Sequence, residues 1–130
     1  MKKLITRSCE EIMTTVYKPI EFVIDGLLAQ GLYILAGAPK VGKSWLALDM
    51  CLSIAKGEKI LGLKTSQGTA LYLCLEDSYA RIQNRLYELT DEPTEMLYFS
   101  VMSDPIGGGL EEQIEGFVIE HRDLKIVFID

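Results

Sequence analysis

The apolar positions of this chain fall into two patterns. Uninterrupted apolar runs occur at Leu32-Tyr33-Ile34-Leu35-Ala36, at residues 69–75 (Thr-Ala-Leu-Tyr-Leu-Cys-Leu), at 96–101 and at 125–130 (Lys-Ile-Val-Phe-Ile-Asp). Runs of that length, apolar on both faces, predict strands of a buried parallel sheet. Between them, apolar residues recur at helical spacing. The segment 45–56 is apolar except for Asp49, Ser53 and Lys56, which predicts a largely buried helix ended by Gly57. Tyr79, Ile82, Leu86 and Leu89 predict an amphipathic helix over 78–89, and Leu110, Ile114, Phe117 and Val118 the inner face of one over 110–121. The order strand, helix, strand, helix, strand, helix, strand predicts an α/β fold, a parallel sheet flanked by helices.

Residues 1–30 read as an N-terminal arm, and 31–130 as the α/β core. In the arm, Ser8 with Glu11 three residues on resembles a capping box for a short helix over 9–17, which Lys18-Pro19 should break. Residues 21–24 form a strand candidate ended by Asp25-Gly26. The connector 58–68 is turn-rich and compatible with a small hairpin carrying Ile60, Leu61 and Leu63.

The junction between the first apolar run and the helix after it carries the chemistry. Gly37-Ala38-Pro39-Lys40-Val41-Gly42-Lys43-Ser44 fits the phosphate-binding pattern G-x-x-x-x-G-K-[ST]. Glycines let the backbone curl so that consecutive N–H groups point at a phosphate chain. Lys43 reaches the β- and γ-phosphates, Ser44 offers its hydroxyl to Mg²⁺, and a helix starting at Lys43 aims its positive end at the same anion. Trp45, next in sequence, suits either the core or the neighbourhood of an adenine ring.

Two carboxylates complete the pattern. Ile126-Val127-Phe128-Ile129-Asp130 has the Walker B form, in which a buried strand delivers an acid to the Mg²⁺ shell. Glu76 follows the run 69–75, so it belongs at the same edge of the sheet. There it either orients a water for attack on the γ-phosphate or, with Asp77, caps the next helix. Arg81 and Arg85 lie one turn apart; they either pair with acids such as Glu88 on a solvated face or serve a phosphate, in their own subunit or across a subunit interface. Gly107-Gly108-Gly109 lacks a Lys-Ser signature and reads as a flexible connection.

Composition narrows the classes. The 130 residues suffice for one domain with a core, and 48% hydrophobic with 25% charged residues is ordinary for a globular protein. No apolar run approaches the roughly 20 residues of a membrane span, and the basic start lacks an apolar signal region, so a cytoplasmic location without membrane contact is expected. Cys9, Cys51 and Cys74 are widely spaced and His121 is the sole histidine, which argues against zinc; Cys51 and Cys74 read as core residues. A net charge of −6 argues against general nucleic-acid binding and confines any DNA contact to a local patch.

Residues 27–49 (Leu-Leu-Ala-Gln-Gly-Leu-Tyr-Ile-Leu-Ala-Gly-Ala-Pro-Lys-Val-Gly-Lys-Ser-Trp-Leu-Ala-Leu-Asp) resemble the RepA-like branch of the RecA/DnaB superfamily, replicative helicases and their AAA-type ATPase relatives. Residues 68–78 with Arg81 and Arg85, and 124–130, are similar to two further signatures of that branch, so the resemblance covers about 25–130. It implies a P-loop NTPase with a RecA-like sheet, assembled in rings, often hexamers, that couple ATP hydrolysis to movement along single-stranded DNA. It further implies ATP and Mg²⁺ as cofactors, the loop from Gly37 to Trp45 on the nucleotide, Lys43 on the phosphates, Ser44 and Asp130 on Mg²⁺, and Glu76 as catalytic glutamate. Arg85 resembles a residue serving the neighbouring active site. RecA-like cores continue past Walker B with a strand that lies between the two Walker strands, a γ-phosphate sensor and DNA-contacting loops. The expectation is therefore of a fragment cut after the Walker B strand, inactive alone and prone to self-association through an unfilled slot. Rival readings are a non-catalytic nucleotide-binding regulatory module, a P-loop kinase and a recombinase-type RecA relative.

Overall fold

The computed structural model describes residues 3–37 and 42–130. At the start, α1 (Cys9–Thr14) is capped by Ser8, whose hydroxyl accepts from the Glu11 N–H at 3.1 Å. The helix stops three residues short of the expected end at 17. Thr14 and Thr15 turn their hydroxyls back onto the carbonyls of Glu10 and Glu11, an alternative to continuing the helix. Ile12, Met13 and Val16 are exposed.

The rest of the arm packs against the core. Strand β1 (Phe22–Ile24) pairs antiparallel with β2 (Leu28–Ala29) around Gly26 at φ +73°. Ile24 is fully buried with Met50 and Ile54 of α2 (Lys43–Lys56). Gly57 ends α2 in the left-handed conformation, and the Glu58 N–H closes onto Ser53 O at 2.9 Å. The expected hairpin follows. Ile60 and Leu63 exchange backbone bonds of 3.0 and 2.8 Å across Leu61 and Gly62, both at positive φ as a type I′ turn requires.

The sheet is parallel and three-stranded, with β3 (Thr69–Leu73) between β4 (Leu97–Ser100) and β5 (Leu124–Ile129). All five β3 residues are buried, and alternation assigns them to two layers. Ala70, Tyr72 and Cys74 pack against Ala47, Leu48 and Cys51 of α2 and against Ile82 of α3 (Tyr79–Leu89). Leu71 and Leu73 face Leu110 of α4 (Leu110–Glu120), with Ile114 and Phe117 beside it. Val118, expected inward, is 37% exposed, because Leu110, Ile114 and Phe117 already form the face that meets the sheet. A Cβ on Gly68 would sit 2.4 Å from Asp123 O, so only glycine lets β3 enter this close to β5.

The first apolar run departs from expectation. Residues 32–36 form no strand, and Leu32 and Ile34 are 96% and 90% exposed. The expected fourth strand is missing because its backbone has no ladder partner among the described residues. Between residues 32–35 and the free edge of β5 lies an open slot of about 320 Å³, with Lys43 and Ser44 at its polar end. Paired strands lie less than 5 Å apart, and a gap of this size leaves both sides unpaired.

The triglycine loop is more ordered than its composition suggests. Gly108 N–H bonds Pro105 O at 2.9 Å, and the side chains of Glu111 and Gln113 accept from the backbone of Gly107 and Asp104. The Gly107 N–H on its carboxylate and Glu111's own N–H hold the Glu111 carboxyl below the usual range.

Candidate nucleotide-binding site

Helix α2 begins at Gly42, whose φ of +91° favours glycine, and it has no side-chain N-cap. The cap residue therefore leaves the first N–H groups of the helix without a side-chain cap, as an anion site requires. Lys43 folds back over the loop mouth and donates from Nζ to Gly37 O at 2.6 Å. Gly37, Gly42, Lys43, Ser44 and Trp45 are thus placed at one end of α2; Ala38, Pro39, Lys40 and Val41 lie outside the described residues.

Asp130 arrives from the far end of the sequence. β5 runs parallel to β3, and the pairing continues one residue beyond the strand, where Asp130 N–H donates to Leu73 O at 2.9 Å. That register brings its carboxylate to α2, and Ser44 Oγ donates to Asp130 Oδ2 at 3.1 Å. Ser44 of the G-x-x-x-x-G-K-[ST] motif and the acid after β5, 86 residues apart in sequence, meet directly.

Tyr72 is a third partner, which the sequence reading passed over as one more apolar residue of a buried strand. Its ring lies between Phe99 and Phe128, at centroid distances of 5.9 and 5.1 Å, and its Oη donates to the same Asp130 Oδ2 at 2.9 Å. Burial, reinforced by the bond to Asp130, pushes the phenol far above its ordinary range, so it stays a donor. The signal available in sequence was a polar atom in a fully buried strand, which must find a partner.

Glu76 sits in the turn after β3, exposed, without a side-chain partner among the described residues. Ser78, not Glu76 or Asp77, caps α3, its hydroxyl accepting from the Arg81 N–H at 3.3 Å. Asp77 binds the arginines instead. Arg85 donates to its Oδ2 at 2.8 Å, while Arg81, largely in solvent, lies 3.5 Å from Oδ1. Both therefore pair with Asp77 rather than Glu88. Arg85 also lies over the ring of Trp45 at 5.9 Å, which ties α3 to the start of α2. Trp45 itself is 38% exposed and not a core residue.

The donor set suits Mg²⁺. A hydroxyl and a carboxylate oxygen 3.1 Å apart at the foot of a phosphate loop are hard oxygen ligands, and Mg²⁺ takes one or two such groups plus phosphate and water. No cluster of three or more His, Cys, Asp or Glu exists among the described residues, and a shell of that kind needs none. His121 stacks on Phe117 at 4.0 Å, and its Nδ1 lies 3.1 Å from Phe117 O. Cys51 and Cys74 are buried beside each other in the core; burial raises both thiols to about 12. No described helix is long and apolar enough to cross a membrane.

The mouse (Mus musculus) DNA repair protein XRCC3 is 33% identical over 85 residues, which cover 59% of this chain and 23% of that protein. The chain thus aligns with under a quarter of that relative's length. No solved structure matches it. A family model described as the AAA domain matches residues 9–130. With that match, a phosphate-loop motif in the sequence ahead of a buried helix and a parallel sheet flanked by helices, the chain belongs to the AAA domain family and is a P-loop ATPase domain of RecA-like fold.

Proposed function

We propose that this chain carries the Mg-ATP site of a DNA-directed motor ATPase of the RepA-like helicase type. The observation that carries the reading is the 3.1 Å bond between Ser44 and Asp130, which joins the two Walker signatures at the end of an uncapped helix. In the proposal the α2 N-terminus and Lys43 bind the β- and γ-phosphates, and Lys43 exchanges the Gly37 carbonyl for phosphate oxygen. Ser44 and Asp130 hold Mg²⁺, which neutralises charge developing on the transferred phosphoryl group. Glu76, without a side-chain partner among the described residues, orients the attacking water and takes its proton. Arg85 is held by Asp77 beside the site and supplies positive charge either here or to a neighbouring subunit of a ring. Contact with single-stranded DNA is assigned to local surfaces, since the chain's net charge is −6.

A second reading is a RecA-type protein of recombination or repair, favoured by the similarity to XRCC3, whose name states DNA repair. Both readings share the nucleotide site and differ in what hydrolysis drives, so unwinding against strand-exchange assays separate them.

The test of the site is calorimetric titration with Mg-ATP. Binding is expected, weakened at least about tenfold in Lys43→Ala by loss of a charge-assisted bond of roughly 1.5–3 kcal/mol. Glu76→Gln should retain binding and lower turnover by about 10²-fold or more. Absence of turnover in both the unaltered chain and Glu76→Gln would favour a non-catalytic nucleotide-binding module, and phosphate appearing on an added acceptor would favour a kinase.

A further inference from the structure

We infer that Tyr72 is a positioning residue for the magnesium ligand Asp130, acting through its hydroxyl from inside the core. The inference rests on the nucleotide-site reading and deepens it. Asp130 itself is exposed at the end of β5, where a carboxylate is free to rotate. Two donors converge on one of its oxygens, Ser44 Oγ at 3.1 Å and Tyr72 Oη at 2.9 Å. Together they occupy both lone pairs of Oδ2, and among the described residues nothing bonds Oδ1. The carboxylate is thereby held in one orientation, with one oxygen tied inward and the other free to accept from a metal-bound water.

The two donors differ in what happens to them. Ser44 lies in the first turn of α2 and in the loaded site turns its oxygen to the metal, so it cannot alone fix Asp130 in both the empty and the loaded site. Tyr72 can. Its ring is 2% exposed and rigidly packed between Phe99 and Phe128, with which it is paired in register across the sheet. Its Cα lies in the central strand, the least mobile part of such a sheet, so Oη is a fixed anchor. Outer partners of this kind set ligand orientation, and their removal costs metal affinity rather than nucleotide affinity.

The test measures ATP affinity with Mg²⁺ and in excess EDTA, by calorimetry or by fluorescence of Trp45, the sole tryptophan and a neighbour of Ser44. Tyr72→Phe removes the hydroxyl and keeps the ring. The gain in affinity that Mg²⁺ confers should fall roughly tenfold, while affinity in EDTA stays unchanged. In an Asp130→Asn background Tyr72→Phe should add nothing further, because the group it orients is no longer a carboxylate. Phe99→Leu, which loosens the ring but spares the hydroxyl, should lower the Mg²⁺ gain by less than Tyr72→Phe does. An unchanged Mg²⁺ gain in Tyr72→Phe overturns the inference while leaving the nucleotide site intact. Equal loss with and without Mg²⁺, or failure of Tyr72→Phe to fold, makes the hydroxyl purely structural and overturns it as well. Absence of any ATP binding by the unaltered chain overturns the nucleotide-site reading and this inference with it.

Discussion

Leu32-Tyr33-Ile34-Leu35-Ala36 and Leu71-Tyr72-Leu73-Cys74-Leu75 are close to the same sequence, and the protein treats them oppositely. The second run supplies the central strand, hydrogen-bonded on both edges and covered on both faces. The first is irregular and exposed. Even the tyrosines diverge. Tyr72 donates from a buried ring to Asp130, while the Tyr33 hydroxyl accepts from the Ala29 N–H at 3.1 Å near the surface. The difference teaches that a strand is a property of its neighbours. Burial and ladder bonds, not an intrinsic preference, stabilise such a run.

The largest expected effect sets the two runs against each other directly. Leu73→Ala should destabilise the chain by about 2–5 kcal/mol in urea unfolding, since Leu73 is packed against Leu110. Ile34→Ala should fall within about 0.5 kcal/mol. Amide exchange should agree, with slow exchange at 71–73 and fast exchange at 32–36. Equal costs and equal protection would mean that the first run is paired in solution, for instance with a second copy of the chain across the slot.

A smaller effect sharpens the comparison chemically. Cys74 in the buried run corresponds to Leu35 in the exposed one. In a Cys9→Ser background, Leu35→Cys should react quickly with a thiol reagent at pH 8, while Cys51 and Cys74 stay inert until unfolding. Their thiols are raised from 9.0 to about 12 by burial. The sign of the linked pH effect follows. The unfolded chain loses these protons first, so it binds fewer protons than the native one above about pH 9. The stability they hold is fully present below that pH and lost as pH rises towards 12, on the order of 1 kcal/mol per thiol by about pH 10. Unfolding curves from pH 8 to 10.5 should show the loss, with a shallower slope in Cys51→Ala. A steep loss unchanged in that variant would assign it to other groups.

The smallest effect concerns the tyrosines. Tyr33→Phe should change stability by less than about 0.5 kcal/mol and leave the Mg²⁺ dependence of ATP binding untouched, because the N–H it releases is accessible to water. A loss of Mg²⁺ response there would show that the exposed run contributes to the site.

Much of the architecture was legible in order of appearance. Three of the four expected strands and all three core helices lie where periodicity and glycine punctuation put them, because a buried strand and an amphipathic helix each leave a local trace. The turn at Leu61-Gly62 was legible for the same reason. The stop of α1 at Thr14 was not, since two hydroxyls competing for carbonyls leave no periodic signal. In the site, the sequence singled out Ser44 and Asp130 as candidates because the chemistry demands those residue types at those spacings, and the structure brings the two together. Asp77 as the partner of Arg85, the ring of Trp45 beneath that guanidinium, and Tyr72 on Asp130 were not, since each joins residues whose meeting depends on how elements pack.

Local information was therefore sufficient for the alternation of strands and helices, the start of α2 at Gly42 and the polar atoms at strand ends, because backbone preference and side-chain chemistry act within a few residues. Packing alone settled which of two similarly apolar runs becomes the central strand, and that Ser44 and Tyr72 share one oxygen of Asp130. The reason is that hydrogen-bond ladders, burial and carboxylate orientation are set by residues that are distant in the chain and adjacent only once the sheet has formed.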